Sequence, residues 1–126
     1  MEYSAEIQHR LSSSSRCGGL QQGGEGVVTT EAEDRSLNVW VRFQVQLQRG
    51  SIRSVRFEAY GCPHFVAAAD WIAERLEGQG VAALREPRAR AAYAALGVPT
   101  EKLGKLLVLE NALLANAQAA DDLVTQ

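Results

Sequence analysis

The chain has 126 residues, 46% hydrophobic and 22% charged, with a net charge of −2, which is enough for one ordinary core without a metal or disulfides to hold it. So small a charge offers no footprint for a polyanion, which argues against a nucleic-acid partner, and no apolar run approaches the roughly 20 residues that cross a bilayer. Met1-Glu-Tyr-Ser4 lacks the basic start and apolar stretch of an export signal, so the cytoplasm is the expected compartment and Cys17 and Cys62 are expected as free thiols.

Tyr3 to Leu11 is predicted as a short helix, with Ile7 and Leu11 four apart on one face. Ser12 to Gly26 has few apolar anchors among its serines and glycines and reads as a mobile loop containing Cys17. Val27 to Ala32 is a short β-prone run. Leu37 to Leu47 alternates strictly, with Leu37, Val39, Val41, Phe43, Val45 and Leu47 on one face. After a turn at Gln48-Arg-Gly-Ser51, Ile52 to Tyr60 forms a third strand. Its phase slips between Ile52 and Val55, which predicts a bulge or an edge.

Beyond Tyr60 the period becomes helical. Phe65, Ala68 or Ala69, Ile72, Ala73 and Leu76 recur at three- and four-residue steps, with Pro63 fixing the first helical residue and Gly78 following the last. Val81 to Leu84 fits a single turn, and Pro87 opens a helix that runs to Leu96 and stops at Gly97. Thr100 is the expected N-cap of a long final helix whose apolar side carries Leu103, Leu106, Leu107, Leu109 or Glu110, Leu113, Leu114 and Ala117. Gly104 weakens that helix by about 1 kcal/mol relative to Ala, so a close contact is expected there. The order predicts one α+β domain over residues 1–126, a three-stranded antiparallel sheet with helices packed on one face.

Gly61-Cys62-Pro63-His64 lies where the strand period gives way to the helix period. Backbone amides at a helix start are unpaired and the local field is positive, which biases a thiol toward the reactive thiolate. Cys62 is therefore the residue on which chemistry is to be sought.

Val55-Arg-Phe-Glu-Ala-Tyr-Gly-Cys62, followed by a small-residue helix and Ala73-Glu-Arg-Leu-Glu-Gly78, resembles the aromatic-Gly-Cys junction of the IscU/NifU-type iron-sulfur cluster assembly scaffold family. His9, Leu96-Gly-Val-Pro99 leading through Lys102, and Glu110-Asn-Ala112 extend the resemblance over nearly the whole chain. It implies an IscU-like fold without enzymatic activity, an iron-sulfur cluster or Zn²⁺ as the bound group, and a cysteine desulfurase or other cluster-assembly proteins as partners; a homo-oligomer is compatible with it. The family holds its cluster with three cysteines, helped by an Asp after the first and a His before the third.

Most of that ligand set has no counterpart in this chain. The first hairpin reads Glu31-Ala-Glu-Asp-Arg35 in place of Cys-Gly-Asp, and the last helix opens with Gly104-Lys105 in place of His-Cys. A [2Fe-2S] unit takes four protein ligands, and soft sets also select zinc. Cys62, His64, Glu33, Asp34 and Cys17 remain for a mixed site, while Lys105 sets a cation where metal charge belongs. Weak or absent cluster affinity is the expectation.

Each candidate has a plainer reading. Cys62 fits a small buried hydrophobe at a tight junction. His64 fits a cap of the first helical turn or a solvent-facing ring better than a ligand. Cys17 is an exposed thiol, or one that its loop delivers to Cys62 for sulfur exchange. Glu33 and Asp34 are usual turn residues, and Lys105 is a solvated helix residue or a cation beside the Cys62 thiolate. Trp40 and Trp71 are expected as partner-surface anchors. Arg85, Arg88 and Arg90 read as a solvated face, and neither a phosphate loop nor a Ser/His/Asp set is present at motif spacing.

The favoured reading is a divergent scaffold-like protein of iron-sulfur cluster or sulfur-transfer assembly, with Cys62 accepting persulfide sulfur or supplying one metal ligand. A non-catalytic interaction or regulatory protein that keeps the fold but not the cluster is the alternative. A redox pair of Cys17 and Cys62 is a third.

Overall fold

The strict alternation after Leu37 forms the central strand of an antiparallel sheet ordered β1-β2-β3, with β1 at Val27–Asp34, β2 at Val39–Gln48 and β3 at Ser51–Tyr60. The computed structural model describes Arg10, residues 26–86 and residues 88–124. The predicted helix at 3–11 apart from Arg10, the loop at 12–25, and with them His9, Cys17 and Pro87, lie outside the described residues. On one face of the sheet Val28, Val39, Val41, Phe43, Val45, Ile52, Val55 and Phe57 are buried, and Phe43 meets Phe57 directly across the strands at a ring separation of 6.4 Å.

β1 extends past its predicted end because Glu33 and Asp34 pair with Trp40 and Val39. They are strand residues, and the turn is Arg35 to Asn38. The Asp34 carboxylate accepts from the Ser36 hydroxyl at 2.6 Å and the Leu37 amide at 3.2 Å, bonds that hold its acid strength above the ordinary aspartate value. Asn38, at φ 59°, closes the turn in the left-handed region that Asn tolerates. The tighter β2–β3 turn places Arg49 and Gly50 at φ 54° and 77°, the two-residue geometry that suits strand twist. The phase slip is a bulge. Ile52 faces Leu47 while Ser54 faces Gln46, so Arg53 is the extra residue and both Ile52 and Val55 turn inward.

Among the described residues, three helices cover the apolar face: α1 at Pro63–Leu76, α2 at Ala89–Leu96 and α3 at Leu103–Val124, with 3₁₀ turns at Val81–Arg85 and Thr100–Lys102. α1 packs on β3, α2 and α3, whereas α3 packs on β1 and β2. Four alanines of α1 (Ala67, Ala68, Ala69 and Ala73) are fully buried, and their small side chains let the neighbours close in around it. Arg10 docks on the same helix, with its guanidinium 2.6 Å from Asp70 and 3.0 Å from Glu74. The chain leaving α1 then runs back along β3: Ile52 donates to the Gln79 carbonyl and accepts from the Gly78 amide, both at 2.7 Å. The Glu77 carboxylate takes the Val55 amide at 2.9 Å.

Several expectations give way. Thr100 does not cap α3: it begins a 3₁₀ turn, and its hydroxyl pairs with that of Tyr93 at 2.9 Å. Among the described residues, no atom outside its own helix comes within 4 Å of a Cβ built on Gly104, so the expected close contact is not made by them. Leu107 and Leu114 are 47% and 46% exposed, because the buried stripe of α3 runs through Leu106, Leu109, Leu113, Asn116, Ala117 and Ala120 instead. Trp71 is 6% exposed, with the Arg75 guanidinium over its ring, so it is enclosed rather than presented as a surface anchor. Arg88 reaches Glu86 and Gln79 at 3.0 and 3.2 Å with little exposure of its own. Glu110 has a structural role that its sequence position did not reveal: it accepts the Ala89 amide at 2.8 Å and so caps α2.

Candidate functional site

Strand-to-helix geometry builds the site. Gly61 ends β3 where a Cβ would come within 3.0 Å of the Phe65 ring and 3.1 Å of Val39, so only a bare backbone lets the chain turn this tightly over the core. Cys62 follows as the N-cap of α1 in extended conformation, and Pro63 opens the helix where its missing N–H costs nothing. The Cys62 carbonyl accepts from the Phe65 and Val66 amides at 2.9 and 3.2 Å. Its thiol makes no cap bond.

Cys62 is half-buried. It packs against the core cluster and also lines an open groove of about 350 Å³ together with Leu37, Asn38, Tyr60, Gly61 and Lys105. The first hairpin, the end of β3 and the start of α3 thus converge on one sulfur. Lys105 lines this groove, as does Tyr60, which is 61% exposed. Asn38 and Tyr60 did not stand out in the sequence. The signal for Asn38 was its ease in the left-handed region, which lets the hairpin tip bend toward the groove.

His64 departs from its expected role. It is 4% exposed rather than solvent-facing or capping, and its Nδ1 lies 3.1 Å from the Lys102 ammonium. An ammonium only donates, so Nδ1 accepts and the ring proton resides on Nε2. Burial, then Lys102, then Lys105 lower the His64 pKa below the ordinary 6.5, and the ring is neutral near pH 7. Lys102 belongs to the stretch that carried the family resemblance, yet nothing in the sequence paired it with residue 64.

The acidic candidates do not join this group. Asp34 is engaged in its own turn, and Glu33 lies on the open sheet face, lining a separate hollow with Glu31, Ala32 and Trp40, 3.7 Å from Arg35. Among the described residues, no three His, Cys, Asp or Glu side chains converge as a metal-holding group. Trp40 is half-buried, with the Arg42 guanidinium 5.4 Å from its ring centre. On its groove side Cys62 shares the lining with Lys105, Asn38 and Tyr60 as well as Leu37, with His64, bonded to Lys102, nearby in sequence on the first turn of α1.

The NifU-like N terminal domain family model matches residues 2–121 of the chain. Among solved structures, the chain is similar to a protein assigned as an iron-sulfur cluster assembly scaffold for the SUF system from Fervidobacterium islandicum AW-1. The two share 17% identity over 91% of this chain and 96% of that one, with a TM-score of 0.72. It is also similar to the N-terminal part of a NifU-like protein from Brucella abortus, at 14% identity over 94% of each chain and a TM-score of 0.72. Identities this low establish the shared fold. No curated protein matches the chain in sequence.

Proposed function

Because the chain belongs to the iron-sulfur cluster assembly scaffold family defined by the NifU-like N-terminal domain, we propose that it serves in that assembly as a sulfur acceptor, with Cys62 as the accepting residue. One observation carries the reading: a thiol at a helix N-terminus lines an open groove whose charged wall residue is Lys105. The sulfur donor is the persulfide of a cysteine desulfurase. The Cys62 thiolate attacks the terminal sulfur of the donor R–S–SH, a new S–S bond forms as the old one breaks, and the donor cysteine leaves as a thiolate. The products are Cys62–S–SH and R–S⁻, with no net oxidation. Lys105 and the helix N-terminus hold the negative charge that passes between the sulfurs, while neutral His64, tied to Lys102, keeps the adjoining turn in place.

In this proposal the protein is an acceptor rather than an enzyme, and any cluster or Zn²⁺ is cargo to which one protomer contributes Cys62 alone. This reading assigns no ligand role to Glu33 and Asp34: Asp34 accepts bonds within its own turn, and Glu33 lies beside Arg35. No helix among the described residues is long and apolar enough to cross a membrane, and the cytoplasm, where desulfurases act on free cysteine, is the proposed compartment. The test is incubation with a desulfurase and cysteine followed by intact-mass analysis. One added sulfur on the wild type and none on Cys62→Ser is expected, with slower labelling of Lys105→Ala. A wild type that gains no sulfur, or gains it only on Cys17, overturns the assignment.

The scarcity of metal ligands beside Cys62 among the described residues favours a second reading, a family member that docks assembly partners without carrying sulfur or metal. Anaerobic reconstitution with iron and sulfide separates the two when read beside the persulfide assay. A chain that neither colours nor takes up sulfur, yet still binds a desulfurase, belongs to the second reading.

A further inference from the structure

Arg10, Arg35, Arg42, Arg56 and Arg88 each have a carboxylate within 3.7 Å, and Arg75 lies over the Trp71 ring. Arg49 and Arg53, at the end of the sheet away from Cys62, are treated differently. Arg49 makes no hydrogen bond or ion pair among the described residues, and Arg53 donates to the neutral Gln48 Oε1 at 3.0 Å. Both line one open groove of about 430 Å³ with Gly26, Gln46, Leu47 and Gln48. No side chain in that lining is acidic, although the chain as a whole carries a net charge of −2.

Backbone geometry gathers these donors. The β2–β3 turn holds Arg49 at φ 54°, a left-handed position that Asn, Asp or Gly fills more easily, so the turn itself gives no reason for an arginine. The bulge then inserts Arg53 as the extra residue of β3 and aims its side chain at Gln48. With its Oε1 taken by Arg53, the Gln48 amide keeps its NH₂ to donate. Gly26 closes the floor: a Cβ there would collide with the Leu47 carbonyl, and the Gly26 oxygen accepts from the Leu47 amide at 2.9 Å.

We infer that this groove is a binding site for a phosphate-bearing small molecule. A lone exposed arginine is a solvated surface charge, but two in one groove without a counter-charge gain by taking an anion. One guanidinium fork already occupies both oxygens of a carboxylate. Two forks and an amide need more acceptors, which a phosphate supplies through three strongly accepting oxygens. The volume falls at the lower end of the about 300–1,000 Å³ typical of small-molecule sites. β3 begins at Ser51, next to the arginine turn, and ends at Tyr60 in the Cys62 groove, roughly 30 Å away at about 3.3 Å per residue. The site is therefore separate from the sulfur and rests on no role for Cys62.

Nuclear magnetic resonance titration of the ¹⁵N-labelled full chain with pyrophosphate, at about 0.15 M salt to screen weak surface attraction, tests it. The Nε–Hε signals of Arg49 and Arg53 and the backbone amides from Leu47 to Ser51 are expected to move saturably, with one pyrophosphate bound per chain by calorimetry. Arg49→Asn, which suits the turn, and Arg53→Gln are each expected to weaken binding at least about tenfold with unchanged circular dichroism. Arg90→Gln removes another exposed charge, from α2, and should leave binding as it was. Arginine signals that stay still, as cover by the chain before Gly26 would produce, overturn the inference. So does a response centred on Lys102 and Lys105, an Arg90→Gln loss as large as the other two, or malonate binding as tightly as pyrophosphate.

Discussion

α1 and α3 rest on the same sheet face, yet they answer to different constraints. Ten of the fourteen residues of α1 are buried, including His64, Asp70 and Trp71, because sheet, helices and Arg10 enclose it from several sides. α3 is buried along one stripe and leaves Leu107 and Leu114 about half exposed on another side. An enclosed helix is set by volume and by satisfied polar groups, whereas a one-sided helix is set by its periodicity and leaves a face for other work. Cys62 stands at the mouth of the enclosed helix, which explains how a half-open thiol is held on a rigid support.

Substitutions should expose that contrast. The largest effect is expected from Phe65→Ala in the first turn of α1: the ring is fully buried and underlies Gly61, so its removal costs about 3–5 kcal/mol in chemical denaturation. Persulfide uptake at Cys62 should fall as well, since the junction loses its floor. Arg10→Ala comes next, at about 3 kcal/mol, because Asp70 at 4% exposure loses a close cation, and Glu74, more exposed, loses less. Ala68→Leu adds volume where there is none and should cost about 1–3 kcal/mol, an effect that a helix with an open side would absorb.

A pH series probes the same enclosure through a proton. The His64 pKa is lowered in the fold, so on acidification the unfolded chain takes up the proton first. Stability is retained above about pH 6.5 and declines as the pH falls from there toward the folded-state value. His64→Gln should flatten that part of the curve. The smallest effect belongs to α3: Leu107→Lys should change monomer stability by less than about 0.5 kcal/mol. A larger loss would mean that Leu107 is covered within the protomer, and the contrast between the helices would fail.

The strands were legible because half-buried strands leave a period of two, and even the bulge at Arg53 announced itself as a slip between Ile52 and Val55. The junction at Cys62 was legible because two periods meet there. α1 was legible as a helix but not as an enclosed one: periodicity reports one apolar face, and Trp71 and His64 were read as outward for that reason. The Lys102–His64 contact joins residues 38 positions apart in sequence and carries no local signal. Glu33 and Asp34 were read as turn residues because composition marks a turn but not its register; pairing with Trp40 and Val39 placed them in β1. The Cys62 groove was half visible, since Lys105 came through the resemblance while Asn38 and Tyr60 needed the hairpin tip and strand end to be brought together.

The returning chain along β3 has an effect on growth of the sheet. With Ile52 bonded both ways to residues 78 and 79 and the Val55 amide held by Glu77, the Ile52 to Val55 stretch of that margin is occupied and hinders pairing with a foreign strand there. Glu77→Ala would leave the Val55 donor waiting, and fibril seeding or misassembly on prolonged incubation is the symptom to look for. One carboxylate thus acts as a hem, stitched by the helix that presents the sulfur at its other end.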